Sequence, residues 1–148
     1  VITNLASAEM IKYASNVFGA IKVSFGNMIF DVCEGLNSSC GLEVDYENVR
    51  DALGADPRIG PAWLDVNHGS YRGFGGYCFP KDLKAFMHFA GRLEQISDEP
   101  TRDRLEKTIE FLLTAWNYNS HLLKHQNLTI EDVSRHDKEI VLAKRKVV

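Results

Sequence analysis

A chain of 148 residues, 45% apolar and 25% charged, has the length of one domain and the composition of a globular protein. Its formal charge of −3 gives no basic field for gripping phosphate backbones, which argues against a nucleic-acid binder. Its apolar runs fall far short of the roughly 20 residues a helical membrane span needs, so no membrane role is expected.

The pattern is mostly helical. Residues 6 to 36 place Ala14, Val17, Phe18, Ile21, Phe25, Met28, Ile29 and Val32 at helix spacing. Gly19 and Gly26 lie on this helix, with Ser15 on the same side, where small residues admit a close neighbour. Asp45 is an N-cap candidate for a short helix ending at Leu53, with Gly54 as its stop. Residues 55 to 77 read as a long loop, punctuated by Pro57, Gly60, Pro61, Gly69, Gly73, Gly75 and Gly76. Loops this long in a compact domain are functional or disordered, and the aromatics Trp63 and Phe74 argue for order. A helix is predicted from Pro80 through Ala90 and another from near Pro100 through Leu123. Thr129 with Asp132 suits a variant capping box opening a last short helix, and KRKVV suits a helix C-terminus. No alternating strand pattern appears, so the fold class is all-α.

Three cysteines, Cys33, Cys40 and Cys78, match no zinc spacing and fit a reducing, cytoplasmic setting. Cys33 falls on an apolar stripe and reads as core. Cys78 lies in GFGGYCFPKD, where Pro80 suits a first helical turn and puts the thiol at or just before the N-cap. Unpaired N–H groups and the helix dipole there favour a thiolate. Asp82 is four residues on, within reach of the same pocket. The same string also suits a buried structural cysteine beside a capped helix. Glu9, Lys12 and Asn16 share one helix face, where Lys12 and Asn16 offer a cation and an amide for an oxyanion, or form a solvated face. Arg58 in DPRIG is suited to bidentate binding of a phosphate or a sugar hydroxyl, or to plain surface exposure. His121 and His125 have metal spacing without an evident third ligand, so no metal site is expected.

The ordered set SAEMIKYASNVFGAIKVSFGN, DPRIG and GFGGYCFPKD resembles the central domain of the UDP-glucose/GDP-mannose dehydrogenases, from about Ala6 to Leu93. The resemblance implies a helical domain of the 6-phosphogluconate dehydrogenase C-terminal-like type, built around a long helix that forms a homodimer. It implies NAD-dependent oxidation of a nucleotide sugar at C6, with a UDP-sugar favoured. Cys78 matches the nucleophile of a thiohemiacetal and thioester route, and Lys12 and Asn16 match oxyanion stabilisers. Asp82 matches a carboxylate that orients water. Arg58 matches an arginine reaching substrate in the partner subunit, Gly75 a glycine touching the sugar, and Lys81 a group near the cofactor. Glu9, Trp63 and Phe74 join the expected substrate contacts.

Tyr77 stands where the family commonly has a small residue, and the loop from Arg58 to Cys78 is longer than usual. Asp65, Asn67 and His68 give that loop different polar groups, and Met28 follows Asn27 where a glutamate is frequent. One helical domain spanning 1–148 is expected, with the NAD-binding Rossmann domain and the C-terminal nucleotide domain absent from this chain. The opening VITNLASAEM, without an initiator methionine, points to a piece of a longer protein. The isolated chain is expected to be inactive. Two alternatives are a catalytically degenerate helical dimerisation module and a helical dehydrogenase domain acting on hydroxy acids, a group with a similar lysine–asparagine pair but no nucleophilic cysteine.

Overall fold

In a computed structural model, residues 2–67 and 70–134 are described. The expected helix end at KRKVV and the loop residue His68 fall outside them. Among the described residues the secondary structure is helical, with no strand.

Helix α1 runs Leu5–Cys40, about 54 Å at 1.5 Å per residue. It starts where Asn4 Oδ1 accepts the Ser7 N–H at 2.8 Å. It stops at Gly41, which takes the left-handed conformation (φ 64°) that glycine adopts without strain. Helix α2, Tyr46–Ala55, is capped by Asp45, whose side chain accepts the Glu47 N–H. Gly54 does not stop it. A Cβ there would lie 3.1 Å from Pro61 Cα, so Gly54 serves close approach of the loop and the helix runs on to Ala55.

Helix α3, Phe79–Ile96, and α4, Glu99–Lys124, form an antiparallel hairpin, with α3 also packed against α1. Asp98 caps α4 through the Thr101 N–H. The short α5, Ile130–Val133, opens with the expected capping box of Thr129 and Asp132.

The main core joins Val17, Ala20 and Val23 of α1 to Leu83 of α3, Leu112 of α4 and Phe74 of the loop. Cys33 is buried beside Tyr46 and Val66, as its place on the apolar stripe suggested. The opposite face of α1 stays exposed and apolar. Ile11, Phe18, Phe25 and Val32 repeat every seven residues along it, and each is at least 40% accessible.

Gly19 and Gly26 of α1 admit neighbours, but not a helix backbone. A Cβ on Gly26 would meet Tyr46 Oη at 3.0 Å and the Leu64 carbonyl oxygen at 3.4 Å. A Cβ on Gly19 would lie 2.5 Å from Phe79 Cζ and 2.9 Å from its Cε1. Alanine for glycine inside a helix ordinarily stabilises by about 0.5–1 kcal/mol. Here the Phe79 ring is hemmed in by Trp63 and the main core, and overpacking costs about 1–3 kcal/mol. Gly19→Ala is therefore expected to lower stability by about 1–2 kcal/mol, read as a lower urea midpoint at unchanged slope. An unchanged or higher midpoint would show that the ring moves aside freely.

Candidate active site

Cys78 is the N-cap of α3, and its carbonyl accepts the Asp82 N–H at 2.8 Å, the first bond of the helix. Its backbone is already helical and its side chain makes no cap hydrogen bond. The thiol is exposed. The sequence accounts for the start: Pro80 sits in the first turn, where a missing N–H is harmless.

One turn along, Asp82 has no solvent exposure. Its Oδ2 accepts the Asn16 amide at 2.5 Å, linking α3 to α1 across 66 residues of sequence. Its Oδ1 accepts the Lys81 ammonium. Burial pushes the Asp82 carboxyl up, but the Lys81 bond, the Asn16 bond and the charges of Lys81 and Lys12 outweigh it and hold it below its ordinary value. The hydrogen bond to Asp82 raises Lys81 above its usual value, against its own desolvation. A Coulombic contribution from Cys78 adds to that rise. Asn16, Lys81 and Asp82 thus meet one turn past the helix start that presents Cys78, and Lys12, its ammonium 5.3 Å from the Tyr13 ring centre, acts on Asp82 through its charge. Asn16 carries two amide hydrogens and spends one on Asp82.

Other expected residues lie around this group. Trp63 makes edge contacts with Phe18 (6.4 Å between centroids) and Phe79 (5.7 Å), next in sequence to Cys78. Its φ of 65° is unusual for a bulky side chain and marks a held conformation. Tyr77 is exposed, with the Lys81 ammonium 5.7 Å from its ring centre. Glu9 lies two turns toward the N-terminus from Asn16, in a cleft with Met10, Phe86 and Phe89 between α1 and α3. Arg58 is separate. Its guanidinium is 87% exposed and forms a two-pronged bond with Asp56. Gly75 is wedged against Tyr71 and Val133, with no room for a Cβ. The Phe74 ring is fully buried in the main core, because the loop turns inward there, so it faces away from any solvent-borne sugar.

Local reading missed several residues that shape the site. Lys22, almost fully buried, donates to the Ile59 and Gly60 carbonyls at 2.7 and 2.9 Å and pins the DPRIG turn to α1. Arg72 binds Asn27 and Asp31 of α1 and stacks 4.3 Å over Phe30. The only early signal was a lysine on the apolar side of a helix. His121 and His125 pair with each other, ring nitrogens 3.0 Å apart. Among the described residues no group of three or more metal-ligating side chains gathers.

The lowered Asp82 carboxyl makes a prediction about pH. A depressed folded-state value stabilises the fold above the unfolded value near 3.8, and that share is lost as pH falls through the lower folded value. Melting temperatures followed downward from about pH 5 should therefore fall more steeply in wild type than in Asp82→Asn. The variant should melt lower at pH 7. Parallel acid limbs would mean that Asp82 titrates alike in both states. Asp56 and Asp98 are also lowered, by their hydrogen bonds to Arg58 and Thr101, and they cancel in the comparison.

Sequence comparison places this geometry among known proteins. UDP-glucose 6-dehydrogenase YwqF of Bacillus subtilis is 45% identical over 92 residues, 62% of this chain and 19% of the relative. UDP-glucose 6-dehydrogenase TuaD of the same organism is 47% identical over 88 residues, 60% of this chain and 17% of the relative. UDP-glucose 6-dehydrogenase AglM of Haloferax volcanii is 41% identical over 85 residues, 57% of this chain and 17% of the relative. The chain spans about a fifth of the length of these relatives. Residues 6–98, from the start of α1 to the end of α3, match the central domain of the UDP-glucose/GDP-mannose dehydrogenases, and the chain belongs to that family.

Proposed function

We propose that this chain is the nucleophile-bearing central part of an NAD-dependent UDP-glucose 6-dehydrogenase that converts the sugar C6 alcohol to a carboxylate. The observation that carries the reading is the Asn16–Asp82 bond, which draws two of the three matching motifs together at the helix start bearing Cys78.

In this reading C6 of the alcohol first loses a hydride and its hydroxyl a proton, and the Cys78 sulfur then attacks the resulting aldehyde and forms a C–S bond, giving a thiohemiacetal. Loss of hydride from that carbon leaves a thioester, and water then cleaves the C–S bond, releasing the acid and the thiol. Lys12 and the spare Asn16 hydrogen stabilise the oxyanions flanking the thioester. Asp82, held ionised and already bonded at both oxygens, is a weak base. It suits fixing Asn16 and Lys81 and accepting a bond from the attacking water. Arg58, Trp63, Gly75 and Glu9 serve substrate binding, Arg58 from the partner subunit. Hydride acceptance is the chemistry NAD supplies. Among the described residues there is no strand–turn–helix phosphate cradle, so apart from Lys81 the cofactor contacts belong to another part of the full-length protein. The 148 residues alone are accordingly inactive.

A homodimer through α1 belongs to the same proposal. The exposed row Ile11, Phe18, Phe25 and Val32 has the seven-residue period of a helix–helix seam. An apolar groove of Phe25, Met28, Phe111 and Ala115 continues it onto α4. Phe25→Glu should turn a dimer into a monomer in sedimentation at unchanged helix content. A dimer that survives would move the interface elsewhere.

The decisive assay counts NADH per sugar for a panel of UDP- and GDP-sugars. Two NADH per UDP-glucose are expected from the full-length protein, and Cys78→Ala should abolish that yield. Lys12→Ala should lose about 10²–10³ in kcat. Full turnover by Cys78→Ala would remove the thioester. No turnover of any sugar by wild type would favour a degenerate dimerisation module, the reading that the exposed Tyr77 beside Cys78 motivates.

A further inference from the structure

Between Arg72 and Gly76 the loop leading to Cys78 has neither helix nor strand. Two side-chain amides from the α4 end of the molecule stand in for a neighbouring strand. The Phe74 N–H donates to Asn119 Oδ1 at 2.6 Å, and Asn119 Nδ2 donates back to the Phe74 carbonyl at 3.0 Å. Two residues earlier the Arg72 N–H donates to Gln126 Oε1 at 2.8 Å, and Gln126 Nε2 donates to the Arg72 carbonyl at 3.0 Å. Alternate residues are thus held through both backbone groups, as along a sheet edge. Gly73 lies between them with φ 101°, and a Cβ there would sit 2.5 Å from Asn119 Oδ1. Beyond the clamp, the Gly76 N–H donates to the Val133 carbonyl at 2.7 Å. Asn119 is fully buried, and Asn119, Gln126 and Val133 all lie outside the family match at 6–98.

We propose that Asn119 and Gln126 are positioning residues for Cys78, setting where the loop delivers the thiol relative to Lys12, Asn16 and Asp82. This rests on the dehydrogenase reading above. Neither amide touches the reacting atoms. They act through the Phe74 and Arg72 backbone, four and six residues before the nucleophile. Displacement of a reacting group by about 1 Å costs about 10²-fold in rate.

The molecule supplies its own control. Asn37 clamps Val44 in the same two-way manner, at 2.9 and 2.7 Å. It lies 21 residues along α1 from Asn16, about 31 Å. Gln126→Ala removes a half-buried clamp that folding should tolerate. Asn119→Asp keeps the acceptor but loses the donor to the Phe74 carbonyl. In the full-length protein assayed with UDP-glucose and NAD, both variants should lose about tenfold or more in kcat with KM within about threefold. Backbone amides of 72–76 should exchange with deuterium at least about tenfold faster while those of α1 do not change. Asn37→Ala should melt lower with wild-type kcat. An active wild type whose clamp variants keep full kcat would overturn the positioning role and leave the dehydrogenase reading intact. An equal loss of kcat in Asn37→Ala would overturn it as well, by exposing a general stability effect. A wild type that oxidises no nucleotide sugar would overturn the dehydrogenase reading itself.

Discussion

A chain that leaves regular secondary structure inside a folded protein must still find a partner for each backbone N–H and C=O. The loop between α2 and α3 meets that requirement with borrowed groups. Lys22 serves Ile59 and Gly60, Tyr46 Oη serves the Leu64 carbonyl, and Asn119 and Gln126 serve Phe74 and Arg72. Each donor or acceptor comes from a helix or its flanking turn, so the loop is ordered by the scaffold around it. Among the described residues no buried side-chain polar atom is left without a partner. The loop can then end on an exposed cysteine at a fixed helix start.

Asp82 poses the same problem with a full charge. A buried carboxylate is costly to desolvate, and removing one partner of such a group is more damaging than the pair's net gain suggests. Here a cation from its own helix, an amide from α1 and a more distant lysine share the compensation. The packing of α1 against α3 therefore has a polar pin within an otherwise apolar contact. That pin adds a directional constraint on the relative height of the two helices to the one set by the Phe79 ring packed on Gly19.

The helices were legible because their signals are local: apolar spacing, Asp45 as a cap, Pro80 in a first turn, Thr129 with Asp132. Gly54 misled, since its role is set by Pro61, a contact that helix-stop rules do not see. Of the site, Cys78 at the N-cap followed from GFGGYCFPKD alone. Asn16 and Asp82 were each marked, but their meeting came only through the family resemblance, because local spacing does not speak across 66 residues. Asn119 and Gln126 were invisible. A polar amide near the end of an amphipathic helix reads as surface, and their loop partners lie 45 and 54 residues away. Phe74 stood among the expected substrate contacts alongside the family resemblance, whereas its ring closes the core.

The clamp also separates two kinds of boundary. The stretch shared with relatives closes at residue 98, in the bend between α3 and α4. A polypeptide trimmed at that point would lose the side chains that hold both backbone groups of Arg72 and of Phe74, together with Leu112 of the main core. The matched stretch is thus shorter than what must fold together, and a graft of this motif onto another scaffold would have to carry α4 and the turn after it along.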